Sequence, residues 1–159
     1  MSKSKGNVFE RKIANLFSKR FAEQTGIENS FRRDISSGSF FGATNQKRLA
    51  THDTETATFG DVMAPSNFKF SIECKHYKTP PTFTSMMKQD CKMISDWIAQ
   101  ATQDAVNSGK LMLVIAKFNN VAEFVIIDGH DDDALMMYRG YSIIPLTVWL
   151  ARPDTYFFS

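Results

Sequence analysis

Only two cysteines occur among the 159 residues, Cys74 and Cys91, and they form no Cys-x-x-Cys pair. A disulfide framework needs more thiols and a thiolate zinc site needs closely spaced ones, so neither scaffold is expected. The same scarcity makes a reducing, cytoplasmic setting the expectation. No apolar run approaches the length that spans a bilayer, and the opening Met1-Ser2-Lys3-Ser4-Lys5-Gly6 lacks the apolar core of a secretory signal. No membrane partner is therefore expected. Internal repeats and low-complexity stretches are absent as well. The formal net charge of +2 is too small to argue for any partner by itself. What is plentiful is phenylalanine, 14 residues of it, which excludes a chain that is disordered throughout. The length predicts one domain over 1–159 with a sizeable core.

Charge becomes informative once it is followed along the chain. Residues 1–48 carry ten Lys or Arg against four Asp or Glu, and residues 93–159 carry four against eight. A basic N-terminal third joined to an acidic end predicts one face that attracts phosphate. Lys47 and Arg48 close that basic third, and Lys69, Lys75, His76 and Lys78 extend the basic set into the middle of the chain.

The most specific chemistry lies in Phe70-Ser71-Ile72-Glu73-Cys74-Lys75. Its apolar, β-branched character predicts a strand, in which positions i and i+2 share a face. Glu73 and Lys75 then point together, while Ile72, Cys74 and His76 turn the other way. Gly60-Asp61-Val62 reads as a second short strand that brings Asp61 alongside. Two carboxylates are what a hard divalent cation such as Mg²⁺ requires, and a lysine beside them can handle a proton or a phosphate. That combination is suited to phosphodiester hydrolysis.

Other elements follow from periodicity. Phe9, Ile13, Leu16, Phe17 and Phe21 recur at helical spacing, with Asn7 as the expected N-cap and Gly26 as the stop. Glu10 borders this stripe. A strand is expected around Ser30 to Arg33, then a Ser/Gly loop. Pro80-Pro81 ends the Glu73 strand, and Phe83 to Asn107 reads as helix, broken early, with Met93, Trp97, Ala101 and Ala105 on one stripe. Gly109 closes it. Leu111 to Ala116 reads as a buried parallel strand, reached by a βαβ crossover from the Glu73 strand, and Glu123 to Asp128 as a further strand ended by Gly129. Together these predict an α/β fold with a mixed sheet flanked by helices. His130-Asp131-Asp132-Asp133 is read as acidic capping of a helix-like Ala134-Leu135-Met136-Met137 rather than as a metal site. The apolar Ser142–Leu150 and Tyr156-Phe157-Phe158 complete the core or form a dimer contact.

Asp61…Glu73-Cys74-Lys75 resembles the active-site signature of the PD-(D/E)xK nuclease superfamily, with Gly60 where the signature has proline. The Gly6-x-x-Phe9-Glu10 helix, the arginine-bearing strand and Ser37-Gly38 ahead of it resemble the archaeal Holliday-junction-resolvase-like branch. The resemblance covers about the first two-thirds of the chain. It implies a restriction-endonuclease-like core and a Mg²⁺-dependent DNA endonuclease, with Mn²⁺ able to substitute. It implies catalytic Glu10, Asp61, Glu73 and Lys75, with Asp61, Glu73 and Glu10 as metal ligands. Arg32 or Arg33 would hold a backbone phosphate, Ser37-Gly38 would donate to a neighbouring one, and Gln100 would be a helper from the following helix. It further implies branched DNA cut by a homodimer. A restriction-like or end-processing nuclease on duplex DNA remains the alternative, as does an inactive DNA-binding module of the same fold. The stretch 39–59, with Lys47 and Arg48, intervenes where that branch is short. It reads as a flap that closes on nucleic acid, a sequence-reading loop, or a tolerated surface insertion.

Overall fold

The computed structural model describes residues 3–35 and 60–159. Helix α1 spans Lys3–Arg20 and a short α2 follows at Ala22–Thr25. Gly26, in the left-handed conformation with φ 62°, terminates α2 by donating its N–H to the Ala22 carbonyl. Phe9, Ile13, Phe17 and Phe21 are buried as their spacing requires, but Leu16 remains 37 % exposed. The helix begins before Asn7, so Asn7 is not its N-cap. Its side chain has another partner, described below.

The strands are β1 Arg32–Arg33, β2 Val62–Met63, β3 Phe70–Tyr77, β4 Leu111–Phe118, β5 Phe124–Asp128, β6 Met136–Tyr138 and β7 Tyr141–Pro145. Among the described residues they form one sheet in the order β1-β2-β3-β4-β5-β7-β6. Only β3 and β4 run parallel, in register from Phe70↔Leu111 to Tyr77↔Phe118; the other neighbours are antiparallel. The parallel pair needs a crossover. Helices α3, Phe83–Met87, and α4, Lys92–Ser108, provide it, separated by Gln89 at φ 51°. Gly109, at φ 67°, closes α4 as expected.

The sheet is covered on both faces, which is the α/β arrangement the sequence predicts. On one face α1 packs over Phe70, Ile72, Cys74, Leu113 and Ile115. The chain end completes this layer through α5, Leu146–Leu150, and α6, Asp154–Phe157. Trp149 and Phe157 are fully buried among Phe17, Phe21, Phe68 and Phe70, so this apolar end belongs to the core. On the other face Ile94, Trp97, Ile98, Ala101 and Ala105 of α4 pack over Met112, Val114 and Ala116.

A further expectation fails at the acidic loop. Ala134-Leu135-Met136-Met137 does not start a helix; Met136–Tyr138 is β6, joined to β7 through Arg139 and Gly140, both at positive φ. A two-residue turn of that conformation matches the strand twist, and its gain is sheet pairing that an isolated helical turn lacks. Asp131 and Asp133 therefore cap nothing helical. They hold the Arg152 guanidinium at 2.7 and 3.0 Å and so tie this loop to the end of α5. Among the described residues no helix is long and apolar enough to cross a membrane.

Candidate active site

Strand β2 is only two residues long, and its pairing with β3 runs through Val62↔Ile72. Asp61, just ahead of it, donates its N–H to the Ile72 carbonyl at 2.8 Å. Among the described residues, β2 offers β3 no ladder partner beyond that point. The Cys74 N–H would be an orphan at the edge, and Asp61 Oδ2 accepts it at 2.8 Å. The shortness of β2 thus draws the Asp61 carboxyl onto the edge of β3. Asp34, following β1, donates its N–H to the Asp61 carbonyl at 2.9 Å and holds the loop from the other side.

Alternation along β3 acts as predicted. Ile72 and Cys74 enter the α1-side core, and His76 follows them, with its ring 5.6 Å from Phe9 and Nε2 3.1 Å from Asn119 Oδ1. Glu73 and Lys75 share the opposite face and form an ion pair at 2.7 Å. Glu73 is only 3 % exposed. Lys75 also donates to Gln100 Oε1, on α4, at 2.8 Å. Gln100 therefore touches the site through Lys75.

On the α1 side, Arg33 Nε donates to Glu10 Oε2 at 2.5 Å and its Nη2 to Asn7 Oδ1 at 2.7 Å. Arg32, its neighbour across the strand, is exposed and donates to the Asn29 carbonyl at 3.1 Å. Of the two arginines, Arg33 is the one that meets Glu10. Lys78 lies exposed beyond the end of β3, and Lys69 donates to the Thr155 carbonyl, away from the carboxylates. Ser37, Gly38, Lys47, Arg48 and the rest of 39–59 lie outside the described residues.

The electrostatics describe carboxylates short of positive charge. Burial, reinforced by repulsion from Glu73 and Glu10, pushes the Asp61 carboxyl up to about 8. Burial raises Glu73 too, despite the opposing pull of Lys75. For Lys75, burial alone would lower the ammonium, but the charge and hydrogen bond of Glu73 outweigh it and set it above its ordinary value. Asp104, one turn beyond Gln100 on α4, is raised by burial and acts on the same pair through space. Asp104 was not among the residues expected at the site, and Asn7 was expected only as a helix cap. The signal for Asp104 was its i+4 spacing from Gln100, which puts both on one helix face. Asn7 could have been found as the residue one turn before Glu10.

The donor set suits a hard divalent cation. Asp61 and Glu73 offer carboxylate oxygens whose mutual repulsion such an ion would relieve. Among the described residues no three or more His, Cys, Asp or Glu side chains converge to hold an ion alone. Mg²⁺ commonly takes one or two carboxylates and keeps water or substrate phosphate in its other positions. The residues present fit that habit.

A mixed sheet with helices on both faces and an acid, acid, lysine set at the edge of β3 is the frame of a restriction-endonuclease-like nuclease fold. The family described as "Phage putative PDDEXK endonuclease" matches residues 1–145, and the chain belongs to it, within the PD-(D/E)xK nucleases. No curated protein and no solved structure matches the chain.

Proposed function

We propose that residues 1–159 form one nuclease domain that hydrolyses phosphodiester bonds of DNA as a Mg²⁺-dependent endonuclease, with Mn²⁺ able to substitute, acting on branched DNA as a homodimer. The observation that carries this reading is the meeting of Asp61, held on the Cys74 N–H, with the Glu73–Lys75 pair on one edge of β3. The family to which the chain belongs supports the nuclease part. The Glu10–Arg33 pair, joining the Gly6-x-x-Phe9-Glu10 helix to the arginine strand, supports the Holliday-junction-resolvase-like part.

Asp61 and Glu73 would hold the cation, with Glu10 as a further acidic group toward it. When bound, the cation supplies a lowered pKa for coordinated water and offsets charge gathering on the phosphate. Asp61 and Glu73, both raised, must give up their protons to serve as ligands. Lys75 keeps its proton, because Glu73 stabilises the ammonium. Its role is accordingly to donate: it orients the attacking water or meets the negative charge that develops on the phosphoryl oxygens. Gln100 Oε1 gives the ammonium a second acceptor beside Glu73. Arg33, held by Glu10 and Asn7, is a guanidinium suited to a flanking backbone phosphate. The buried free thiols of Cys74 and Cys91 suit a reducing, cytoplasmic setting.

The substrate is tested by cutting matched four-way junction, linear duplex and single-stranded DNA in Mg²⁺ or Mn²⁺. Paired, symmetric cuts in the junction alone are the expected result. Equal cutting of plain duplex would replace the resolvase reading with the restriction-like one.

A further inference from the structure

Beside Lys75 and Gln100 a groove of about 500 Å³ opens along the first turns of α4. From the structure we infer that this groove receives one unstacked nucleotide of the DNA, next to the phosphate that Lys75 serves. The inference rests on the nuclease reading above.

The size is right for a nucleotide rather than for a helix or strand, since sites for small ligands span roughly 300–1,000 Å³. One wall is flat and aromatic. Tyr77 is half-buried at the end of β3, two residues beyond Lys75 on the same face of the strand. Trp97 lines the groove next to it, with ring centroids 5.2 Å apart, and Phe118 packs on Trp97 at 5.8 Å. Packing on Trp97 restricts the Tyr77 ring, which lowers the entropy lost when a base stacks on it. Half-buried Met93 adds a polarisable side to the wall.

The polar rim is laid out for the rest of a nucleotide. The Lys75 ammonium has only donors, so Gln100 turns its oxygen toward it and is left with its amide NH₂ for a base edge. Lys92 lies at the other end, with its side chain 87 % exposed and, among the described residues, its charge shared with Asp96 at 2.5 Å. A lysine so exposed is free to turn to a phosphate one nucleotide away. Bases held in paired, stacked DNA cannot enter such a groove. Bases at a branch point or bulge can, because their unstacking is already partly done.

The test uses the full chain in EDTA, with two fluorescent DNAs carrying 2-aminopurine. In one the probe sits in an unpaired bulge, and in the other within a fully paired duplex. Binding should quench the bulge probe with the wild-type protein and with Tyr77→Phe, and not with Tyr77→Leu. Tyr77→Leu should weaken the bulged DNA about tenfold and the paired duplex less than about twofold, as expected for one lost base–ring stack. Lys92→Ala should lower the salt dependence of binding by about one phosphate contact. Should Tyr77→Leu not fold, Met93→Ala reads the same wall. Equal losses on both DNAs, or a probe signal that ignores Tyr77 and Met93, would overturn the inference. If the protein cuts DNA in Mg²⁺ while the probe stays silent, only the groove assignment falls. If the probe responds and no DNA is cut, the nuclease reading falls instead.

Discussion

Gly60 lies so close to the Ile72 carbonyl that a Cβ on it would sit 2.5 Å from the oxygen. Its φ is +89°, a value proline cannot adopt. This explains why the chain has glycine where the nuclease signature has proline: the Asp61 loop reaches β3 by a left-handed step pressed against backbone. The close approach also sets up the Asp61 N–H to Ile72 carbonyl bond. Gly60→Ala should therefore cost on the order of 2 kcal/mol or more, from positive φ and the backbone clash together. It should also reduce cutting beyond what the lost stability explains, because Asp61 moves with the loop. Thermal unfolding alongside a cleavage rate checks both, and an unchanged melting temperature would contradict the geometry.

The two adjacent arginines should separate cleanly. Arg33 is the partner of Glu10, whose side chain is 9 % exposed, so Arg33→Ala leaves a buried carboxylate without its cation. Breaking such a pair costs about 3–5 kcal/mol. Arg32 is exposed and, among the described residues, bonded to a nearby carbonyl, so Arg32→Ala should change stability by less than about 0.5 kcal/mol. Denaturant titration of both variants is the check, and equal effects would contradict the assignment of Arg33.

Stability should depend on pH through Asp61. A carboxyl raised in the folded state binds its proton more tightly there than in the unfolded chain. Its contribution is fully present below the ordinary value of 3.8 and is lost as pH rises toward about 8. Glu73 is raised by burial and acts in the same direction. Cation-free protein should thus lose stability across this window, and Asp61→Asn should flatten the slope. Divalent cation should reverse the trend, binding more tightly as the pH approaches 8 and releasing protons as it binds. Melting temperatures measured from acid to mild alkali, with and without Mg²⁺, would show it. A flat profile for the wild type would contradict it.

The chain end should behave as core. Phe157 is fully buried, with its ring 4.8 Å from Phe21 and 4.9 Å from Trp149. Phe157→Ala should lower stability by about 3–5 kcal/mol. The loss should not vary with protein concentration, whereas a residue whose burial came from a dimer contact would show such dependence.

Much of this arrangement was legible because the β3 signal is simple. Glu73 and Lys75 share a face by strand alternation, and the apolar runs of β4 and β5 admit few alternatives. Gly26 and Gly109 mark helix ends whatever packs around them. Three things were less legible, because contacts distant in sequence bear on each. Arg32 and Arg33 are indistinguishable until β1 pairs with β2 and one of them meets Glu10. Asn7 looks like a cap until the helix is seen to start earlier, after which Arg33 explains it. Met136–Tyr138 carries no strong strand signal of its own, and the preceding aspartates suggested a helix start until Arg152 is found between them. The Arg139-Gly140 turn was the clue to that hairpin.

The most direct test of the account is cleavage of DNA in Mg²⁺ or Mn²⁺ by the wild type, Asp61→Ala and Glu73→Ala, with DNA binding measured in parallel. The wild type should cut and EDTA should stop it, neither variant should cut measurably, and all three should largely keep binding. Undiminished cutting by either variant would contradict it.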